Sequence, residues 1–548
     1  MRTGGQLVVD SLEAQQCSQV FCVPGESYLA VLDALHDSGI NTTVCRQEGG
    51  AAMMAEAWGK LTGLPGICLV TRGPGATNAA AGVHVAAQDS TPMILFVGQI
   101  DSRCRHREAF QEVDYRLMFG DMAKWVAEID SAARVPEMIS RAWHTATAGR
   151  PGPVVLVLPE DTLEDTAVVP VLKPVEPVET VASEASVHQL KMLLETAQKP
   201  MIIAGGSRWS EAAVSQLGDF AQRFDIPVAC SFRRQMLFDN EHPCYAGDVG
   251  LGINPDLKDR LESADVLLMI GGRLSEISSQ NYTLLNIPDP VQKLIHVHPG
   301  AEELGKVYQP HLAIHSSPVA FCAALSSLQP GSPVNWQGAS AEAHTSYQRW
   351  TELGRAHPDA LMMKSVMQCL REQLPADSIM TNGAGNYATW VHRFWKFRNY
   401  GSQVAPTSGS MGYGLPAAVA AKLHAPDKTV VAFAGDGCFQ MTGQEFGTAV
   451  QSGAAIVVLV LDNGMYGTIR MHQEKHFPGR ISATTLQNPD FAMLARAYGV
   501  YAETVNQPEE FASAFDTALK QTVDSGKPAL LHVMLDPAII TPTMSLND

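Results

Sequence analysis

The sequence predicts an α/β protein of three doubly wound parallel-sheet domains. Short apolar, β-branched runs at 67–70, 93–97, 154–158, 201–204, 266–270, 429–434 and 456–461 alternate with helix-length segments, the pattern of βαβ units repeated on parallel sheets. Two stretches interrupt the alternation. Residues 166–183 are rich in Val, Pro and Glu without a helical period, and 329–343 are rich in Pro, Gly, Ser and Ala; both read as linkers. The 548 residues suffice for three or four domains at roughly 150 each, so domains are expected over 1–165, 184–328 and 350–540.

Composition narrows the function classes. Hydrophobic residues at 46% and charged residues at 17% describe a chain that folds rather than one that stays disordered. A net charge of −17 repels polyanions, so neither nucleic acid nor an anionic membrane is an expected partner. The longest apolar runs, such as 454–461, fall far short of a membrane span. Ten cysteines are scattered without a CxxC pair, which gives no zinc knuckle or disulfide framework and makes reduced thiols the expectation. Met1 to Gly5 lead directly into an amphipathic stretch without the apolar core of an export signal, so a cytoplasmic location is expected. No short-period repeat is present, which sets solenoids and propellers aside.

The last expected domain carries the most specific motif. The run 429–434 leads at once into Gly435-Asp436-Gly437, 440–452 reads as a helix, and 456–461 leads into Asp462-Asn463-Gly464. A right-handed crossover between parallel strands brings Asp436 and Asn463 out at one sheet edge, where open α/β sheets bind ligands. A carboxylate, an amide oxygen and a backbone carbonyl just after them suit magnesium that also takes phosphate oxygens. Either tripeptide alone reads as a turn, but one βαβ unit apart they resemble the signature of thiamine diphosphate enzymes. That resemblance implies thiamine diphosphate and magnesium as cofactors, with Asp436, Asn463 and the Met465 carbonyl as metal ligands. Asp462 stands where the family usually has Asn, a departure expected to alter the hydrogen bonds behind the metal.

In the first expected domain Glu48 opens Glu48-Gly49-Gly50-Ala51-Ala52-Met53-Met54, small and apolar residues at the start of a helix. A carboxyl that shares a proton needs an apolar surround that raises its pKa. Pro24-Gly25-Glu26 closes an earlier strand, Thr71-Arg72-Gly73-Pro74-Gly75-Ala76-Thr77-Asn78 follows another, and Ala109-Phe110-Gln111-Glu112 lies beyond. In order and spacing these resemble the pyrimidine-binding domain of the acetolactate synthase-like thiamine diphosphate family. The resemblance implies that Glu48 activates the cofactor, that Pro24, Gly25 and Asn78 bind it, and that Gln111 and Arg72 lie on the substrate side. Arg72 replaces the family's usual Ser.

The likeness continues in Ala384-Gly385-Asn386-Tyr387, which looks like the diphosphate loop, and in Ser408-Gly409-Ser410-Met411-Gly412, where Met411 would hold the cofactor bent. It extends the cofactor set to Gly409, Gly437, Cys438, Tyr466 and Gly467. Two features depart from the synthases. Leu158-Pro159-Glu160-Asp161 has Glu160 where they carry Lys, and the stretch after Tyr466 lacks their Trp and has His472, a candidate substrate contact. The synthases also bind FAD in the central domain; here Ala204-Gly205-Gly206 and Ile270-Gly271-Gly272-Arg273 follow apolar strands, without a GxGxxG fingerprint.

The resemblance thus implies a pyrimidine-binding, a central and a diphosphate-binding domain. The expected activity is decarboxylation of a 2-oxo acid followed by ligation to an aldehyde or a second 2-oxo acid. A lyase in the manner of benzaldehyde lyase or 2-hydroxyacyl lyases, a simple decarboxylase, and a silent nucleotide-binding homologue remain open alternatives. Because the family combines the first domain of one chain with the last of another, a homodimer or dimer of dimers is expected.

Overall fold

The computed structural model describes residues 1–331 and 333–547. Three six-stranded, all-parallel sheets follow one another along the chain. In spatial order the first comprises Asn41–Val44, Gln19–Cys22, Gly66–Val70, Met93–Gln99, Pro153–Pro159 and Trp125–Glu128. The third comprises Gln403–Val404, Ile379–Asn382, Val430–Gly435, Val457–Asp462, Ala529–Met534 and Ala502–Val505. Numbered along the chain, both read 2-1-3-4-6-5. The central sheet is different: Tyr245–Val249, Val228–Ser231, Pro200–Ala204, Val266–Ile270, Lys293–His298 and Leu312–His315, an order of 3-2-1-4-5-6. Inner strands such as Gly66–Val70, Met93–Gln99, Val430–Gly435 and Val457–Asp462 are buried throughout, which explains why they read as unbroken apolar runs rather than alternating ones.

Most expected strands lie within a residue or two of the observed ones, but three expectations need correction. The helix expected over 440–452 is two, Asp436–Gln440 and Glu445–Ser452. Thr442 and Gly443 are weak helix formers, and the Thr442 hydroxyl instead donates to the Gly412 carbonyl at 2.5 Å. The second linker is shorter than read, because helix Ala339–Trp350 begins inside it. The first contains the strand Thr166–Ala167, paired antiparallel with Arg2–Thr3. No helix among the described residues is long and apolar enough to cross a membrane.

A buried ionic network joins the three sheets. Lys60, on helix Glu48–Thr62, donates to Asp89 Oδ2 at 2.6 Å and the Ala405 carbonyl at 3.0 Å, and lies 3.2 Å from Glu56 Oε1. Asp89 ends helix Pro74–Asp89 and accepts from Thr407 Oγ1 at 2.6 Å and from the N–H groups of Thr407 and Ser408. Its own carbonyl accepts from Arg234 of the central unit at 3.2 Å. Glu56 is paired with Tyr413 and accepts from Thr91 at 2.6 Å. Burial alone would raise the Asp89 carboxyl, but Lys60 and Arg234, with hydrogen bonds from Lys60 and Thr407, hold it well below its ordinary 3.8.

Removing one partner strands a buried charge, so Asp89→Ala is expected to lower unfolding free energy by about 3–5 kcal/mol, read from denaturant midpoints. Because the carboxyl is depressed in the folded state, its stabilisation is complete above its unfolded pKa and is lost as pH falls further. The stability gap between wild type and Asp89→Asn is therefore expected to be constant near neutrality and to shrink only below about pH 4.

Candidate active site

In the first and third sheets the chain leaves the first strand to one side and returns on the other, which creates a crevice at the carboxyl ends where the direction switches. In the third sheet this point lies between Asn382 and Gly435. A cavity of about 260 Å³ opens there. Ala384, Gly385, Asn386 and Tyr387 line it after one strand; Asp436, Gly437 and Cys438 line it after the next. Asn463, Met465, Tyr466 and Gly467 come from the following loop, and Gly409 and Met411 from the Gly-rich segment. Sequence reasoning missed two contributors, Asp359–Met363 and Leu535–Ile540, whose side chains are too ordinary to flag.

Hydrogen bonds hold these loops in register. Thr468 Oγ1 donates to Asn386 Oδ1 at 2.9 Å, and Tyr387 Oη and the Gly412 N–H donate to Cys438 Sγ at 3.2 and 3.1 Å. Gly437 admits no side chain, since a Cβ there would meet the Tyr466 ring at 2.5 Å. Asp436 is buried, and Asn488, also missed from the sequence, donates to both Asp436 Oδ2 and Asp462 Oδ1 at 2.7 Å. His532 Nε2 lies 2.9 Å from Asp462 Oδ2. The Asp436 carboxyl is raised to about 6, chiefly by burial and also by Asp462, against the pull of hydrogen bonds from Asn488 and the Gly437 N–H. Hard oxygens at Asp436, Asn463 and the Met465 carbonyl with no cationic side chain paired to Asp436 among the described residues are a donor set that fits magnesium.

The residues flagged in the first sheet gather at its own switch point, between Cys22 and Val70. Glu48 opens its helix, whose first turn is capped by the Gln47 side chain accepting from the Gly50 N–H at 3.0 Å. Its carboxyl accepts from Asn78 Nδ2 at 2.9 Å, so the wholly apolar surround expected for it is not built by this chain alone. Gly25 packs on Thr71, where a Cβ would come within 2.4 Å, and a Cβ on Gly75 would lie 3.4 Å from Glu48 Oε1. The Glu48 helix is also held from the third sheet: the buried Glu445 carboxylate accepts from the Gln47 N–H at 2.9 Å and the Arg46 N–H at 3.2 Å.

Arg72 is buried and donates to Glu160 Oε1 at 2.7 Å, to Glu26 Oε1 at 2.6 Å and to the Phe110 carbonyl at 3.4 Å. Burial raises the Glu160 carboxyl, against the pull of Arg72. Gln111 sits in the left-handed region at φ 64°, packed against Gly73. His472 lies on the exposed face of helix Gly467–His476, its ring stacked on His476 one turn later, and does not line this chain's own cavity.

Glu48 and the metal-site residues do not share a cavity within the chain. Among the described residues, the lining comes wholly from 359–540. The glycines of the central sheet also have a structural account: at its switch point a Cβ on Gly206 would lie 1.8 Å from the Gly271 carbonyl oxygen, so the two turns pack on each other rather than forming an open phosphate cradle.

The comparisons with known proteins agree with this geometry. Residues 2–118, 187–325 and 383–533 match the N-terminal TPP binding, central and C-terminal TPP binding domains of thiamine pyrophosphate enzymes, and the chain belongs to that family. Within it, the chain is 33% identical over 537 residues to the acetolactate synthase isozyme 2 large subunit of Escherichia coli (strain K12), covering 97% of this chain and 95% of that one. It is 29% identical to the acetolactate synthase large subunit of Lactococcus lactis subsp. lactis (strain IL1403), covering 97% and 92%. It is likewise 29% identical to the acetolactate synthase catalytic subunit, mitochondrial, of Saccharomyces cerevisiae, covering 98% and 81%.

Asn488→Ala would leave two buried carboxylates facing each other without the amide between them. A loss of about 1–3 kcal/mol is expected, measured as a lower thermal midpoint; an unchanged midpoint would remove Asn488 from the site.

Proposed function

We propose that this chain is the catalytic subunit of a homo-oligomeric, thiamine diphosphate- and magnesium-dependent enzyme that decarboxylates a 2-oxo acid and joins the remaining acyl unit to a second carbonyl compound. The observation that carries this reading is the third-sheet cavity, where Asp436, Asn463 and Met465 meet between Gly-rich loops at a switch point of a thiamine pyrophosphate enzyme. When bound, the cofactor supplies a nucleophilic carbon and accommodates the electron pair released as carbon dioxide departs.

The chain's residues then have defined tasks. Asp436, the Asn463 side-chain oxygen and the Met465 carbonyl hold the metal; that carbonyl already accepts from the Gly467 N–H at 2.9 Å and keeps a second lone pair. Gly385, Asn386, Gly437, Cys438, Tyr466 and Gly467 would shape the diphosphate pocket, and Met411 would support the cofactor. Glu48 holds a proton at a ring nitrogen of the pyrimidine, with Asn78 orienting its carboxyl and Pro24 and Gly25 leaving room for the ring. Gln111 and Arg72 stand on the substrate side. FAD in the central domain, left open by the resemblance, is not required by this reading. Free thiols at the ten described cysteines suit a reducing, cytoplasmic setting.

Because Glu48 lies outside the chain's own cavity, a complete site takes Glu48 from one chain and the metal from another, in a symmetric dimer or a dimer of dimers. Two tests follow from the separate roles. Glu48→Gln is expected to lower turnover by about 100-fold or more with little loss of thiamine diphosphate affinity, whereas Asp436→Ala is expected to abolish calorimetric binding of thiamine diphosphate in magnesium buffer. Co-expression of the two variants should restore about a quarter of wild-type activity, since half of random dimers are mixed and each mixed dimer has one intact site. Mixed dimers without activity would place both residues in a site formed by a single chain.

A further inference from the structure

We propose that the Glu26–Arg72–Glu160 cluster selects an uncharged carbonyl compound as the acceptor, against a second 2-oxo acid. The inference rests on the reading of the active site given above and concerns the same cleft. Arg72 follows Thr71 and precedes the helix that begins at Pro74, and a Cβ built on Gly75 in that helix's first turn would lie 3.4 Å from Glu48 Oε1, so the cluster borders the carboxyl assigned to the cofactor.

The layering of the charges carries the argument. The Arg72 side chain is 8% exposed, whereas those of Glu26 and Glu160 are 67% and 35% exposed. One cation lies underneath and two carboxylates lie outside it, each within 2.7 Å of the guanidinium. The local sum is negative, and its negative part faces solvent. In the adjoining loop Arg103 is paired with Asp101 and Arg105 with Glu128, whereas Arg107 is exposed and forms no ion pair among the described residues. Next to the cluster, Phe110 exposes 73% of its surface while its carbonyl is held by Arg72. An incoming carboxylate therefore meets like charge, and an aldehyde's alkyl or aryl group meets an apolar ring. The step balances without a redox partner: a 2-oxo acid anion, an aldehyde and one proton give a hydroxyketone and carbon dioxide. The new bond joins the donor's former carbonyl carbon to the aldehyde carbon, and the proton ends on the aldehyde oxygen.

The test uses the full-length enzyme with thiamine diphosphate and magnesium. A panel of 2-oxo acids is first screened for carbon dioxide release. The fastest donor is then incubated with an equal concentration of propanal, and the hydroxyketone is measured against the product of self-condensation. Wild type is expected to favour propanal by about tenfold or more, a contrast that one nearby unit charge can produce at short range. Glu160→Gln and Glu26→Gln keep size and a hydrogen-bond acceptor while removing charge, and each is expected to lower that ratio severalfold. A purely structural role would depress both products together and leave the ratio unchanged, which would overturn the proposal. A wild type that prefers self-condensation while releasing carbon dioxide overturns this inference alone. Absence of carbon dioxide release from every acid overturns it together with the reading on which it rests.

Discussion

The burial of Lys60 between Asp89 and Glu56 is the constraint on which much of the architecture depends. A buried ammonium is tolerable only when its partners are all in place, and here they come from different units: Glu56 and Asp89 from the first, the Ala405 carbonyl from the third. Asp89 in turn binds Thr407 and Ser408, the residues that lead into the loop of Met411, while Arg234 fastens the central unit to the same helix end. Lys60 itself rides on the helix that Glu48 begins. One desolvated network thus ties the helix that Glu48 begins and the loop of Met411 to a common interface, and Glu445 fixes that helix at its other end.

The shared 2-1-3-4-6-5 order of the outer sheets gives the molecule two equivalent crevices. The third-sheet crevice gathers oxygen donors and glycines around a cavity; the first gathers Glu48, Asn78 and the Arg72 cluster without lining that cavity. Under the proposed function, the third-sheet crevice would take the metal end of the cofactor and the first-sheet crevice its ring end. The central sheet, with its 3-2-1-4-5-6 order, has a different part. Its Arg234 and Arg273, with Arg150, donate to the carbonyls of Asp89, Gln88 and Ala87 at 3.2, 2.6 and 2.7 Å. Three cations on the carboxyl end of one helix complement its dipole, so the central unit clamps the helix that carries Asp89.

Much of this was legible in the sequence because it is local. Strand burial on both faces leaves an apolar run, turn chemistry leaves Gly-Asp-Gly and Asp-Asn-Gly, and a βαβ unit fixes the spacing between them; from these the three sheets and the meeting of Asp436 with Asn463 could be read, while Ala384 to Tyr387, Gly409 and Met411 were flagged by the family resemblance. Where local signals were weak the reading slipped. The break at Thr442 and Gly443 depends on a hydroxyl bonded to Gly412, thirty residues away in the chain.

Only the tertiary structure decided which charges meet. Arg72 and Glu160 are flagged separately by their departures from the synthase pattern, yet nothing in the chain's linear order states that they bond to one another and to Glu26. The same holds for Asn488 between Asp436 and Asp462, for Asp89 beneath Thr407, and for the distance between Glu48 and the metal-site residues. Periodicity and turn residues are set by interactions over a few positions and so are written in sequence. Pairings between distant side chains are set by how sheets and helices close on one another, and burial then makes those pairings obligatory.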